Sequence, residues 1–261
     1  MWLTFAAETR VLWACPEGLC VKSPYGLEII DSCVTCSQRS HFLFCNLSNQ
    51  AIEHLNRIKS FATYPRGTTL FMEGQEPRGI FVLCHGRAKL STSAADGKTI
   101  ILRIAEAGEV LGLSSAMANR PYDLTAELME PTQANFISRD DFLKFLAQNG
   151  EAAVRVAQQL SENYHSACEE IRQLGLSGSA SEKMARLLLE WSTHHGGHVS
   201  RDAEVRLTMN LTHEEIAQLI GSSRETVTRM FSDFKKKRLI EVKGATVILR
   251  NKSALQKIVG D

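Results

Sequence analysis

Glycine recurs at short intervals between Tyr64 and Ser138, and this spacing constrains the fold more than any other feature of the chain. The glycines cut the segment into apolar stretches of about five residues, the usual length of a β-strand. Asp96-Gly97 is a dipeptide typical of a hairpin turn. Short strands with a turn signal about every ten residues predict an all-β barrel, roll or sandwich here. The glycines concerned are Gly67, Gly74, Gly79, Gly86, Gly97, Gly108 and Gly112.

The segment before these strands is rich in cysteine. Five of the seven cysteines fall within residues 1–45, which otherwise show little helical or strand periodicity; they are Cys15, Cys20, Cys33, Cys36 and Cys45. The total is odd and no secretion signal is evident, so a disulfide framework is the less favoured use for them. We therefore expect a compact cap or a metal-organised segment. Residues 48–60 then predict a short amphipathic helix with Ser48 as its N-cap.

Residues 139–174 return to helical periodicity. Apolar residues recur there in alternating steps of four and three, the spacing of a coiled-coil seam. The pattern predicts a long helix that pairs with a second copy of the chain, and packing against the β segment is the alternative. The seam residues are Ala153, Ala157, Leu160, Tyr164, Ala167, Ile171 and Leu174.

The C-terminal region contains a segment typical of a helix-turn-helix, LTHEEIAQLIGSSRETVTRMFSDF. Thr212 with Glu215 predicts a capping box at the first helix, and Gly221 supplies the turn. Ser222 with Glu225 predicts a second capping box at the second helix. The following LIEVKGATVILR predicts a wing hairpin around Lys243-Gly244.

The start of the second helix carries polar residues that the apolar pattern turns outward: Ser223, Arg224, Glu225, Thr228 and Arg229. Side chains at this position of a recognition helix reach base edges in the major groove. Residues 224–252 hold nine Lys or Arg against three Asp or Glu, although the whole chain has a net charge of only +1. We therefore predict DNA binding. In the alternatives, the helix-turn-helix serves a protein contact, or Glu225 only caps the helix.

The remaining sequence excludes several classes of protein. With 44% hydrophobic and 23% charged residues, the chain is neither disordered nor fibrous, and its apolar stretches are too short to span a bilayer. No nucleophile–base pair, Walker-type loop or zinc-protease spacing appears, so we expect no enzyme. A thiol-redox enzyme built on Cys33 and Cys36 is the alternative of another class.

From about Ser32 to Lys252 the chain resembles the Crp/Fnr family of bacterial transcription regulators. The stretches that carry the resemblance are GTTLFMEGQ, IFVLCHGRAKL, DGKTIILRIAEAGEVLG, the long seam helix and GSSRETVTRMF. The resemblance implies an α+β fold with a cyclic-nucleotide-binding-type β-roll, a long dimerisation helix and a C-terminal winged helix-turn-helix. The expected segments are a cysteine-rich 1–45, a β-roll sensor 46–150, a dimerisation helix 151–176 and a DNA-binding domain 177–261.

The resemblance also implies the partners and the DNA-reading residues. Arg224, Glu225 and Arg229 would read each half of an inverted repeat in double-stranded DNA, and the R-E-T-V-x-R form is similar to that of cAMP-binding members, which predicts a TGTGA-like half-site. The expected partners are a second copy of the chain and RNA polymerase, in the cytoplasm and without a membrane.

The residues at the sensor positions differ from those of the cAMP-binding members of this family. In cAMP-binding members a Gly-Glu pair and an Arg-Ser pair hold the ribose and the cyclic phosphate. Here Ser114-Ser115 lies near the first pair and Tyr122-Asp123 replaces the second, where Asp123 would repel a phosphate. Ala167-Cys168 replaces the pair that contacts the base. We therefore expect no cAMP binding.

The oxygen-sensing Fnr branch holds a [4Fe–4S] cluster with N-terminal cysteines and one cysteine of the roll. Cys33, Cys36 and Cys45 are similar to that set, since closely spaced thiolates are the ligands of iron–sulfur clusters. The gap between Cys36 and Cys45 is longer than usual, and Asn135 occupies the expected roll position. Cys20 or Cys84, or else Cys15, would supply the fourth ligand. Zinc, a thiol switch and cysteines without a metal role remain as alternatives.

Overall fold

A computed structural model of the chain describes residues 25–176, 179–194, 198–199 and 205–260. Residues 25–48 have no regular structure apart from a single 3₁₀ turn at Arg39–His41. Helix α1 (Asn49–Ile58) follows, and the Ser48 side chain accepts a hydrogen bond from the Ala51 N–H at its start. The predicted helix and its N-cap are thus confirmed.

Residues 60–138 form the β-roll that the glycine spacing predicts, with one short helix inserted. Its elements are β1 (Ser60–Tyr64), β2 (Thr69–Phe71), β3 (Gly79–His85), β4 (Ala88–Ser93), β5 (Thr99–Ala105), β6 (Val110–Leu111), α2 (Leu113–Ala118), β7 (Thr125–Leu128) and β8 (Thr132–Ser138). Every strand pairing is antiparallel, in the sheet orders β1-β8-β3-β6 and β2-β7-β4-β5. The Asp96-Gly97 turn joins β4 to β5, and Gly97 has a φ of +84°, a conformation that glycine adopts without strain.

Strand β3 is buried on both faces, so alternate residues enter two different cores. Ile80 and Val82 pack with the helices α1, α3 (Arg139–Gln148) and the first turns of α4 (Gly150–Leu176), in a core that also contains Phe44, Phe142 and Phe145. Phe81 and Leu83 face the opposite way, into the core between the two sheets of the roll. The sheet β1-β8-β3-β6 therefore separates a helical core from an inter-sheet core.

The stretch predicted as continuous helix from residue 139 is two helices. Ser138 caps α3, and Asn149 ends it with a non-helical φ of −129° before α4 begins. Helix α4 lies against the roll with Ala152 and Val156 buried in the helical core. Gln159 is 4% exposed and makes a paired contact with strand β6: the Val110 N–H donates to its Oε1 at 3.2 Å, and its Nε2 donates to the Val110 carbonyl at 2.9 Å.

The C-terminal domain contains a third sheet and four helices among its described residues. Its elements are α5 (Ala180–His194), β9 (His198–Val199), β10 (Val205–Thr208), α6 (His213–Ile220), α7 (Arg224–Lys236), β11 (Ile240–Lys243), β12 (Thr246–Leu249) and α8 (Lys252–Val259). The sheet order is β11-β12-β10-β9. Strands β11 and β12 are the predicted wing, and Gly244 in their turn has a φ of +59°. None of the described helices is long and apolar enough to cross a bilayer. The predicted α+β fold class is confirmed.

Gln159 offers a test of how the long helix is fixed to the roll. Gln159→Ala leaves the buried N–H and carbonyl of Val110 without partners, and we expect the free energy of unfolding to fall by about 1–3 kcal/mol. Urea denaturation of the full chain measures this loss. Gln158→Ala is the matched control, because Gln158 lies on the exposed side of the same helix. Equal stability of the two variants would contradict the assignment.

Candidate nucleic-acid interface and sensor site

The first helix of the helix-turn-helix begins with the predicted capping box. The Thr212 hydroxyl accepts a hydrogen bond from the Glu215 N–H, and the Glu215 carboxylate accepts one from the Thr212 N–H at 2.9 Å. Gly221 ends α6 with a φ of +61°, a left-handed conformation that strains residues with a side chain. This turn sets the angle at which α7 leaves α6.

The second predicted capping box is wrong. The N-cap of α7 is Ser223, whose hydroxyl accepts from the Thr226 N–H at 3.2 Å, so the helix begins one residue later than the Ser222 assignment requires. Glu225 therefore stands in the first turn without the role of capping-box partner. Hydrogen bonds from its own backbone N–H and from the Ser223 hydroxyl lower the pKa of Glu225, so this exposed carboxylate is ionised at neutral pH.

All five predicted DNA-reading residues are exposed at the start of α7: Ser223, Arg224, Glu225, Thr228 and Arg229. The opposite face of the helix is buried through Val227, Met230, Phe231 and Phe234. Because the apolar face is fully used by the domain core, the polar face is the one that remains for a partner.

His213 is a residue of this surface that the sequence analysis missed. Its ring stacks on Phe231 with a centroid distance of 4.9 Å, and its Nδ1 lies 2.9 Å from the Thr228 Oγ1. The Thr228 hydroxyl also donates to the Arg224 carbonyl at 2.9 Å. The Thr228 hydroxyl thus has two partners inside the protein, which leaves its methyl group as the free part of the side chain. No sequence signal relates positions 213 and 228, since only the α6–α7 crossing brings them together.

Helix α6 also contacts the β-roll. Lys89 of β4 lies with its Nζ 2.9 Å from Glu127 of β7 and 3.3 Å from Glu215, and Ile104 of β5 packs against the core of the DNA-binding domain. Burial lowers the pKa of Lys89, but the two carboxylates outweigh it and raise the value overall. Burial likewise opposes the lowering of the Glu215 pKa, which Thr212 and Lys89 together achieve. Glu215, which completes the capping box of α6, therefore also forms the ion pair that joins this helix to Lys89 of the roll.

Among the described residues, the long helix α4 presents an exposed face. Ala157, Tyr164 and Ala167 of the predicted seam are exposed, and Tyr164 is 74% exposed. Leu160 departs from the prediction, since it is half-buried against the helical core of its own chain. The side chains of Ile171 and Leu174 lie outside the described residues. Val154, which the seam pattern did not include, is 57% exposed beside it.

A cavity of about 200 Å³ lies between the roll and α4. Asp123, Ser114 and Ser115 line it from the roll, and Asn163, Ser166 and Ala167 line it from the helix. Arg103 also reaches the cavity, but its Nη1 is paired with Glu109 at 2.5 Å. Tyr122 is buried, stacks on Phe71 at 4.1 Å and donates its hydroxyl proton to the Gly79 carbonyl. Tyr122, at the position predicted to replace a phosphate-binding arginine, thus packs in the core. Its neighbour Asp123 presents a carboxylate to the cavity.

Three predicted metal-ligating cysteines and Cys84 lie in one region of the helical core. Cys33 and Cys45 pack with that core, and Cys36 and Cys84 are half-buried. Burial raises the pKa of Cys33 and raises that of Cys84 to about 12, and neighbouring thiols add to both effects. Raised values argue against a nucleophilic thiol enzyme, whose chemistry needs the thiolate. The alternative ligands Cys15 and Cys20 lie outside the described residues.

Within residues 25–176, 179–194, 198–199 and 205–260, no three His, Cys, Asp or Glu side chains are placed to hold a single metal ion. An iron–sulfur cluster makes a different demand, because each cysteine bonds a different iron and the sulfurs stay apart. The thiols of Cys33, Cys36, Cys45 and Cys84 are the type of donor atom that such a cluster binds, and only Cys33 among them is buried.

Two domain families match the chain. The cyclic nucleotide-binding domain matches residues 61–149, and the Crp-like helix-turn-helix domain matches residues 182–258. The fold and these matches define a DNA-binding transcription regulator, and the homologous proteins are regulators rather than enzymes.

Two curated relatives and one solved structure illustrate the relationship. The CRP-like cAMP-activated global transcriptional regulator of Mycobacterium tuberculosis is 26% identical over 82% of this chain and 95% of its own length. The anaerobic regulatory protein of Bacillus subtilis is 26% identical over 79% of this chain and 86% of its own. A CRP-family transcriptional regulator of Thermus thermophilus superposes with a TM-score of 0.65 at 26% identity, over 77% of this chain and 97% of that one. The chain thus contains a cyclic nucleotide-binding domain and a Crp-like helix-turn-helix domain and is homologous to regulators of the CRP/FNR family.

The ion pair between the two domains makes a testable prediction. Lys89→Gln leaves Glu127 and Glu215 facing each other, and we expect it to lower the free energy of unfolding by about 1–2 kcal/mol at neutral pH. Lys98→Gln on the exposed hairpin turn is the control. Glu215 has a lowered pKa, so its contribution is lost as pH falls through that value, below the usual 4.5. Urea denaturation should show Lys89→Gln approaching wild type as the pH falls below the lowered pKa of Glu215, while Lys98→Gln matches wild type throughout. A difference that persists there would contradict the ion-pair origin.

Proposed function

We propose that this chain is a cytoplasmic regulator that binds an inverted-repeat DNA site as a homodimer. The observation that carries the proposal is the exposed polar face of α7, where Arg224, Glu225 and Arg229 stand on a helix capped by Ser223. Arg donates two hydrogen bonds to guanine O6 and N7, and Glu accepts from cytosine N4. The proposed half-site is TGTGA-like, and the basic residues of 224–252 supply phosphate contacts.

The proposed dimer forms along α4. The exposed stripe of Ala157, Tyr164 and Ala167 is the surface that a second copy would cover, with Ile171 and Leu174 continuing it. A two-fold axis along this helix would present two copies of α7 to successive major grooves, about 34 Å apart. RNA polymerase is the further partner proposed for a regulator of this family. The division into segments 1–45, 46–150, 151–176 and 177–261 stays a prediction.

Signal transmission is proposed to run through the contacts of the roll. Gln159 ties the dimerisation helix to Val110, whose strand borders the cavity. Lys89 and Ile104 tie the β4–β5 hairpin to α6. A change in the roll therefore alters both the packing of α4 and the orientation of the DNA-binding domain, which is a two-state equilibrium that a signal can bias.

The proposed sensor is the cysteine group, holding a [4Fe–4S] cluster through Cys33, Cys36 and Cys45 with Cys20 or Cys84 as the fourth ligand. Such a cluster supplies one-electron redox chemistry and reactivity with oxygen. The fold buries Cys33 and leaves Cys36, Cys45 and Cys84 half-buried. A second candidate effector is a small molecule without a phosphate, bound in the cavity beside Asp123. Asp123 and the packed Tyr122 support the proposal that cAMP is not the effector.

The DNA-reading residues make the first prediction of this proposal. Arg224→Ala or Arg229→Ala removes a bidentate base contact, and we expect each to cost about 1–3 kcal/mol per half-site. Fluorescence anisotropy with a TGTGA-containing palindrome and a scrambled duplex measures the loss of specific binding. Arg66→Ala, an exposed arginine of the roll, is the matched control. Equal affinity of the wild type for both duplexes would refute sequence-specific binding at this site.

The sensor makes the second prediction. Protein purified anaerobically is expected to contain iron and acid-labile sulfide and to show visible charge-transfer absorption that air removes. Calorimetric titration with cAMP is expected to give no saturable heat, because Asp123 repels the phosphate. Tight cAMP binding by iron-free protein would overturn the proposed sensor while leaving the DNA-binding proposal standing.

A further inference from the structure

Thr228 stands on the exposed face of α7, but its hydroxyl is engaged inside the protein. His213, the first residue of α6, lies with its Nδ1 2.9 Å from the Thr228 Oγ1. The imidazole ring is held by stacking on Phe231, with an angle of 7° between the two rings and a centroid distance of 4.9 Å. Phe231 belongs to the buried core of the DNA-binding domain, so that core sets the position of the His213 ring.

The hydroxyl proton of Thr228 fixes the tautomer of His213. A threonine hydroxyl carries one proton, and Thr228 donates it to the Arg224 carbonyl at 2.9 Å. The hydroxyl oxygen therefore accepts from His213, and the His213 Nδ1 carries the proton that is donated. Thr228 has no proton left for a partner outside the protein. It therefore cannot donate to the N7, O6 or O4 acceptors that bases display in the major groove.

The same two contacts fix the direction of the Thr228 methyl group. A threonine in a helix divides its population between two χ1 rotamers, because its hydroxyl can bond the carbonyl of the third or the fourth preceding residue. The contact with His213 selects the rotamer in which the hydroxyl lies toward α6 and bonds the Arg224 carbonyl. Since Thr228 as a whole is exposed, its methyl group is the part that a partner meets.

This methyl group stands beside both arginines that are proposed to read bases. Thr228 lies one helical turn beyond Arg224 on the same face of α7, and Arg229 is its neighbour in sequence. All three residues are exposed. A helix that brings the two guanidinium groups to base edges in the major groove brings the methyl group of Thr228 to the same part of the groove. The group of a base that fits it there is the C5-methyl group of thymine.

We propose that Thr228 recognises a thymine in each half-site through contact between the two methyl groups, and that His213 is the positioning residue that keeps the Thr228 hydroxyl turned away from the bases. This inference rests on the proposed DNA binding by α7 and names one base group that the helix reads. The contact is apolar, so the Thr228 side chain contributes specificity without a hydrogen bond to the base.

Deoxyuridine tests this contact, because it differs from thymidine only in lacking the C5-methyl group. The duplex is the tightest binder that the full chain selects from a randomised pool, with one thymine position of each half-site replaced at a time. We expect wild-type affinity to fall about fourfold per half-site at one position, the factor that corresponds to one buried methyl group. Thr228→Ser should bind the thymine and uracil duplexes equally, while Thr228→Val keeps the preference. Thr226→Ser, the same change at a half-buried position of α7, is the matched control.

Three results would contradict the thymine contact. Specific binding that uracil does not weaken at any thymine position would overturn the inference and leave the proposed DNA binding standing. A preference for thymine that persists in Thr228→Ser would also overturn it, since another residue would then contact the methyl group. A chain that selects no duplex from the pool would remove the inference together with the proposed DNA binding.

His213 has a separate readout, the ratio of the affinities for the thymine and uracil duplexes. His213→Phe keeps a ring that can stack on Phe231 but lacks the donor to Thr228, and we expect the ratio to fall toward one. His213→Asn lacks the ring but carries an amide N–H the same number of bonds from Cβ as Nδ1, and should keep the ratio of wild type. A merely structural role would lower the melting temperature or both affinities and leave the ratio unchanged. An unchanged ratio in His213→Phe would refute the positioning role.

Discussion

The two-sided burial of β3 is the constraint on which the rest of the structure depends. Because both faces of this strand meet apolar cores, its register against β8 cannot slip by one residue without exchanging the two sets of side chains. That register places Phe81 and Leu83 between the sheets and Ile80 and Val82 toward the helices. Cys33 and Cys45 consequently lie on the helical side of this sheet.

The contacts between the roll and its neighbouring helices have one property in common. In each, a polar group on one element is paired with a polar or charged group on the other. Gln159 pairs with the edge strand β6 as another strand would, which fixes the long helix without an apolar contact at that point. Lys89 pairs with Glu127 of its own sheet and with Glu215 of α6, and only the second of these ion pairs depends on α6 lying against the roll. Directional contacts of this kind have defined geometries, which suits a regulator that changes between two arrangements.

Helix caps and turns could be predicted from the sequence, because they depend on residues close together in the chain. The α7 cap and the burial of Leu160 could not, because they depend on the surrounding structure. Ser48, Thr212 and Gly221 stand where their caps and turns require, because a capping hydrogen bond spans only three residues. The α7 cap was misplaced by one residue, since Ser222 and Ser223 are equally suitable in sequence and the tight turn after Gly221 decides between them. Leu160 matched the seam spacing, yet the roll of its own chain partly covers it. The spacing of apolar residues along a helix identifies the residues that favour burial. It does not identify the neighbouring element that will bury them.

The sequence by itself determined an all-β segment between Tyr64 and Ser138, the long helix, the helix-turn-helix with its wing and the outward position of Arg224 and Arg229. Each of these follows from residue periodicity or from hydrogen bonds between residues close in the chain. Only the tertiary structure decided that His213 stacks on Phe231, that Lys89 meets Glu215 and that Asn135 lies beside Cys33. These pairs are separated by many residues, and their proximity depends on strand register and on helix crossing, which no local pattern encodes.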